Sequence, residues 1–449
     1  MKKTFVSLLL LVGLSAAAQD HFSGISTSSR VGILNGELNP AEFAQLSRKF
    51  EVNIYGFSFN IANNKIGFSD LNSDTNLEDL IFTGTDPVNM RFDAKLIGPS
   101  LAIRLKKWGF GLTTKANVKF DVVDVDPVLG NAIYNNDLPL NTTILDNPNN
   151  QRLNGISYGE VGLSIARTLF DNDKHRFSAG VTFNFLFPGS YSNFGIRNLN
   201  GTISQNPTGS YLTTNQPANL NIAYSGNLAE SFTNFSDYSK SIFGGLNGTA
   251  MDIGLNYVWK DGANKYKFKG GLAVKNIGSM TFKDSNNYST NYTLNIQPTL
   301  QNPQGLDLSL FNNIDNLGDV ETILTQNGYL TQTPVKREFK VNLPALLALY
   351  GDFKIVPKVY VTGYFQQKLN KDTANDQVTA LNVISVTPRV NLGFFETYIP
   401  ISNNDVSGTN VGIGFRLGGF YLGSSSMVTA LVNDSKQADL YFGFRWAFL

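Results

Sequence analysis

Apolar and polar residues alternate, position by position, along most of this chain. In G-F-G-L-T-T-K-A-N-V-K-F-D-V, residues 109–122, the side chains of Phe110, Leu112, Ala116, Val118, Phe120 and Val122 share one face of an extended backbone. Lys115, Asn117, Lys119 and Asp121 share the other. The pattern recurs in Phe177, Ala179, Val181, Phe183, Phe185 and Phe187, and again in Met251, Ile253, Leu255, Tyr257 and Trp259. It ends on Leu440, Phe442, Phe444, Trp446 and Phe448, with Arg445 pointing the opposite way. This predicts strands near 50–61, 89–105, 109–123, 154–169, 176–189, 250–260, 266–280, 338–350, 358–369, 378–386, 389–401, 409–417, 420–431 and 438–449. A phase change in the first of these predicts a bulge near Gly56.

The connections predict how the strands are arranged. Tight turns are expected at Lys106-Lys107-Trp108, Phe170 to His175, Asp261 to Lys265, Gly351 to Pro357, Thr387-Pro388 and Gly418-Gly419. Between them come mostly longer connections, at 62–88, 124–153, 190–249, 281–337, 370–377, 402–408 and 432–437. Regular alternation of short and long connections, with an even strand number, is the pattern of an outer-membrane barrel. The expected fold is therefore all-β: a transmembrane antiparallel β-barrel of about 14 strands. Soluble sandwiches would bury the same apolar faces, but they account for neither this rhythm nor the aromatic ending.

Composition narrows the picture further. Charged residues make up 16% of the 449, against roughly 25% in soluble domains. After the first residues no apolar run approaches the ~20 that a membrane helix needs, so any spanning structure has to be a barrel. A net charge of +1 without a basic stripe argues against nucleic acid. Lys2, Lys3, the apolar run Phe5 to Leu14 and Ala16-Ala17-Ala18 read as a signal peptide over residues 1–18. The chain has no cysteine, hence no disulfide or thiolate metal site. Trp108, Trp259 and Trp446 all fall beside predicted tight turns or the C-terminus, where a membrane girdle belongs. Lys115, Asn117, Lys119 and Arg445 are expected to face a polar lumen.

Residues 19–49 precede the barrel, which is expected over 50–449. Within them L-N-P-A-E-F-A-Q-L, residues 38–46, reads as a helix start, with Asn39 as N-cap, Pro40 at the first position and Glu42 reaching back. Asn39-Pro40-Ala41, between a Gly- and Ser-containing lead and the first strand, resembles the hatch of the FadL/TodX-like outer-membrane transporters and their PorV-like relatives. D-I-G-L-N-Y-V-W (252–259) and G-G-L-A-V-K-N-I-G (270–278) look like a hairpin of the PorV-like branch. F-K-V-N-L-P-A (339–345) and G-F-Y-L-G-S-S-S-M-V-T-A-L (419–431) resemble an uncharacterised Bacteroidota family of outer-membrane proteins. The resemblance implies fourteen strands, and a hatch or plug in which Asn39, Pro40, Ala41, Glu42 and Phe43 take part. The rhythm of the connections and the even strand number lead to the expectation of an outer-membrane location with both termini periplasmic.

Catalytic chemistry has little to stand on. The only histidines, His21 and His175, fall outside any strand interior, so no Ser-His arrangement is evident. Asp171, Asn172 and Asp173 resemble the start of a calcium loop but lack its glycine and distal glutamate, and read as a tight turn. No cofactor is indicated. Three-residue apolar steps from Ile314 predict an amphipathic helix, on the barrel rim or over its mouth. Two functions remain. One is passive passage of hydrophobic small molecules, which enter through a lid, pass the hatch and leave through a break in the wall, driven by their own gradient. The other is a permanently plugged barrel that docks outer-membrane or periplasmic proteins of a secretion or barrel-assembly complex. The partners expected are outer-membrane lipid and either a hydrophobic ligand or such proteins.

Overall fold

The computed structural model describes residues 21–72, 76–134, 142–226, 244–262, 266–283, 287–314 and 316–448; the expected signal peptide lies outside them. Fourteen antiparallel strand positions make one ring. In chain order they are β1 (Phe50–Asn63), β2 (Val88–Ile97 and Ser100–Leu105), β3 (Trp108–Val125), β4 (Thr142–Asp171) and β5 (His175–Asn206). There follow β6 (Gly248–Lys260), β7 (Tyr266–Lys283), β8 (Glu338–Asn342 and Leu346–Val356), β9 (Val359–Lys368) and β10 (Val383–Asn391). The ring ends with β11 (Phe395–Tyr398 and Ile401–Asn404), β12 (Gly408–Val411 and Ile413–Leu417), β13 (Phe420–Ser424) and β14 (Gln437–Phe448). β14 closes on β1 from Phe50↔Phe448 to Ala62↔Gln437. This pairing joins the two ends of the sheet into a ring, the arrangement that lets strands sit in lipid.

Burial in this ring is inverted relative to a soluble protein. Leu163, Leu255, Leu272, Leu349 and Val386 are exposed at mid-strand, while Asn184, Asn256, Asp352 and Arg389 on the opposite faces are buried. An apolar exterior around a polar interior is what hydrocarbon solvent selects. Leu272 lies between Leu255 and Leu349 on its two neighbours. Leu272→Arg is expected to destabilise the barrel by about 2–4 kcal/mol in urea titrations in lipid, the midplane value. Phe444→Arg should cost only about 0–1 kcal/mol, the value near an interface, because Phe444 pairs with Phe420 beside the Gly418-Gly419 turn.

Several boundaries differ from the sequence expectation. The bulge in β1 lies at Ile54, where the register shifts between Asn53 and Tyr55, not at Gly56. Thr387-Pro388 is no turn: β10 runs through Pro388, and the turn follows Asn391. β8 likewise continues past Gly351 to Val356. Most of 142–153 and 190–206, expected as loop, is strand, so β4 and β5 reach 30 and 32 residues, about three times the roughly 9–11 that cross a membrane. Gly209–Thr214, Ala218–Ser225 and Tyr288–Leu294 add to this projecting sheet.

Helices cover the extensions. α1 (Gly32–Leu38) lies in the N-terminal segment, α2 (Leu77–Ile81) follows β1, α3 (Pro127–Tyr134) follows β3, α4 (Leu317–Gln326) follows β7 and α5 (Met427–Val432) follows β13. Ile81 buries Val122 of β3, so the far end of that apolar face meets protein instead of lipid. Leu317, Val320 and Leu324 of α4 pack with Leu220, Ile222 and Leu294 of the projecting sheet. Asn316 and Asp319 cap α4 reciprocally. On that sheet, burial and the Glu321 carboxylate to which Tyr292 donates push the Tyr292 phenol well above its ordinary pKa.

Candidate functional site

Residues 21–46 are almost wholly buried, and their partners come from around the ring. Phe22 packs edge-on against Tyr421 and Tyr441 of β13 and β14. The Ser28 hydroxyl donates to Glu396 of β11 at 2.7 Å, and the Ile33 N–H donates to Glu51 of β1 at 2.9 Å. Glu37 pairs with Lys115 of β3 at 2.8 Å, and the Gln45 amide donates to Ser178 of β5 at 2.5 Å. Partners on opposite walls place this segment within the ring.

Asn39 caps the short 3-10 helix Pro40–Gln45, its Oδ1 accepting from the Ala41 N–H at 3.0 Å. Its amide donates to the Leu255 carbonyl at 2.8 Å. Glycines of the wall permit this approach: a Cβ on Gly254 would stand 1.9 Å from Asn39 Oδ1, and one on Gly180 2.6 Å from the Pro40 carbonyl carbon. Glu42 does not reach back to the cap as expected. Its carboxylate turns outward to Lys269 at 3.0 Å, to the Asn256 amide at 2.9 Å and to the Tyr350 hydroxyl. Ala41 is fully buried, and Phe43 packs with Ile33, Leu46, Ala102 and Ala166.

The other residues singled out by sequence fall into two groups. Lys115 lies between Glu37 and Glu160, Lys119 pairs with Asp93, Asn117 is buried, and Arg445 bonds Glu51 at 2.9 Å. Trp108, Trp259 and Trp446 are exposed on the outer face at the short-turn end. Arg167 lies 4.9 Å from the Trp108 ring centre and Lys267 5.5 Å from that of Trp259, pairings suited to an interface. At the same end Asn172 Oδ1 accepts the N–H groups of Lys174 and His175, which makes Asp171-Asn172-Asp173 a turn.

Sequence reasoning missed the course of the connection between β9 and β10. A loop was expected over 370–377 with a strand from 378, but the strand resumes only at Val383, and residues 369–382 fold against β2, β4 and β5 at the mouth. Arg152, fully buried on β4, donates to the carbonyls of Asp372 at 2.6 Å and Gln377 at 2.9 Å. Arg91 of β2 bonds Asp372 at 2.9 Å, and the Tyr191 hydroxyl donates to the Asn375 carbonyl at 2.6 Å. Charged residues on otherwise apolar strands were the available signal, since Arg91 and Arg152 need partners within the ring.

Passage through the barrel called for a break in the wall, but sequence reasoning did not place it. β13, expected to run to Leu431, stops at Ser424. Five residues at ~3.3 Å rise span roughly 16 Å, against a hydrocarbon layer of about 30 Å. Beyond Ser424 the chain turns into α5, seated between β12 and β14, where Thr429 Oγ1 accepts the Val411 N–H at 2.7 Å. Its side chains Met427, Leu431 and Val432 are 52, 75 and 82% exposed. Its base is polar and buried: Asp439 of β14 accepts from the N–H of Ser425 and from both the N–H and the hydroxyl of Ser426, at 2.8 and 3.1 Å for the latter two.

A closed ring of fourteen strands, apolar outside and filled with charged and polar contacts inside, is a transmembrane β-barrel. Residues 40–425 match the profile of a family of unknown function, DUF5723, and the chain belongs to that family. No curated protein matches it. Among solved structures it is similar to the TodX deltaS2S3 mutant monoaromatic hydrocarbon channel, at 10% identity and TM-score 0.45, over 97% of this chain and 96% of that one. It is similar to the toluene transporter TbuX of Ralstonia pickettii, at 11% identity and TM-score 0.42 over 97% and 96%. A Pseudomonas aeruginosa FadL homologue aligns at 9% identity and TM-score 0.43 over 96% and 98%.

Proposed function

We propose that this protein is an outer-membrane barrel through which small, largely apolar molecules pass down their own gradient, with α5 as a side door to the bilayer and residues 21–46 as the plug below. The break in β13 carries this reading. A continuous wall forces a solute to cross the whole lumen, whereas a wall completed by six helical residues lets an apolar solute leave sideways into hydrocarbon. Displacing α5 breaks few ladder hydrogen bonds, because β13 has already ended. Its apolar outer side chains stay in lipid whether the door is open or shut.

The absence of cysteine makes a direct test possible. The pair Val411→Cys and Thr429→Cys joins α5 to β12 by a disulfide under oxidation. Cells carrying the oxidised pair are expected to take up the apolar dye 1-N-phenylnaphthylamine no faster than cells without the protein, and reduction should restore the wild-type rate. Equal uptake in the cross-linked and reduced states, with the cross-link verified by mass, would remove the side door. Uptake by wild type no faster than by cells lacking the protein would remove passage altogether.

A further inference from the structure

Between residues 21–46 and residues 369–382 lies a chamber walled by strands from β1–β4 and β7–β9. Its charges largely resolve into pairs. Arg91 serves Asp121 and Asp372, Lys119 serves Asp93, and Lys115 lies between Glu37 and Glu160. Three donors remain. Lys95 and Lys275 line the chamber with no carboxylate in ion-pair range and no hydrogen-bond acceptor among the described residues. The strongest charge acting on Lys95 is the like charge of Lys275. Asn117 also lines it, and its amide nitrogen is buried without an acceptor.

The backbone brings these donors together. Lys95 and Asn117 are direct cross-strand partners on β2 and β3, with side chains on one face. Lys275 comes from the other wall at a bulge, where the β6–β7 register shifts between Val274 and Ile277. Asn276 takes φ +59° there, and its N–H donates to Asp252 at 2.7 Å. A bulge gives up ladder pairing to re-aim a side chain. Two like charges and an amide without an acceptor, held in a low-dielectric enclosure, are costly alone and complementary to an oxyanion.

We propose that the chamber binds a small oxyanion, the carboxylate or phosphate of a free solute or of a lipid headgroup, between Lys95, Lys275 and Asn117. This site goes beyond the passage reading and does not depend on the side door. The test is calorimetric titration of the full-length barrel, delipidated in nonionic detergent, with inorganic phosphate and with acetate. Native mass spectrometry of protein purified without delipidation reports any anionic lipid retained. Saturable binding of either probe is expected, at least tenfold weaker in Lys95→Met and in Lys275→Met and unchanged in Lys106→Met on a tight turn. Asn117→Asp, which keeps the volume and supplies an internal carboxylate, is expected to abolish it in barrels that still shift on heating in gels. A lipid retained by wild type and lost from these variants would make the headgroup the source. No saturable binding and no retained anionic lipid, or undiminished affinity in the Asn117→Asp barrel, would overturn the site.

Discussion

Deleting residues 21–45 is expected to give a barrel that conducts ions where the intact protein is electrically silent. The ring's ladders start at Phe50 and close without any strand from the deleted segment, so the wall keeps its backbone hydrogen bonds. What the deletion exposes is polar: Lys269, Asn256 and Tyr350 lose Glu42, Lys115 loses Glu37, and Glu396 loses Ser28. Water reaches these groups once the segment is gone, and hydrating them offsets the lost contacts. The variant is therefore expected to keep its heat-dependent gel shift and to show ohmic steps in planar bilayers where wild type shows none. Cleavage between the segment and β1 should have a smaller effect, because the polar contacts of residues 28–45 hold without the covalent link. A silent deletion variant would assign closure to residues 369–382, held by Arg152, Arg91 and Tyr191.

The sequence carried the ring because lipid and lumen sort side chains with period two, so that Leu255 and Asn256 already declare their sides. The positions that misled it are set by distant partners. Pro388 looked like a turn, yet it sits where β11 breaks at Ile399-Pro400, and the Ile399 N–H donates to the Pro388 carbonyl. A missing N–H is tolerated at such a gap. Residues 420–431 read as a strand from their composition. Three serines that turn their donors on Asp439, thirteen to fifteen residues away, end it instead. Residues 142–153 and 190–206 looked like polar loop and are strand because they pair with each other. The same distance effect hid the chamber site, because Lys95 and Lys275 lie 180 positions apart in sequence and the slip in alternation between Val274 and Ile277 says nothing of what the bulge faces.

Arg389→Met is expected to destabilise the barrel by about 3–5 kcal/mol, the cost of stripping one partner from a buried ion network. Arg389 is buried on β10 with its guanidinium 2.5 Å from Asp352 of β8 and 3.3 Å from Glu396 of β11. Thr362 and Tyr266 donate to Asp352, and these neutral donors do not replace a cation. Glu396 keeps Arg416 at 2.9 Å, so the stranded charge is chiefly that of Asp352. The double variant Arg389→Met, Asp352→Asn, which leaves Glu396 paired with Arg416, should recover most of the loss in urea titrations in lipid, since a neutral amide needs no counter-charge. If the cost instead came from the lost volume of Arg389 alone, the double variant would be no more stable than the single one. Glu396 also accepts the hydroxyl of Ser28, which joins this network to the segment inside the ring. The single variant should therefore expose residues 21–46 to added protease at urea concentrations at which the strand ladders still hold, and the wild type should not.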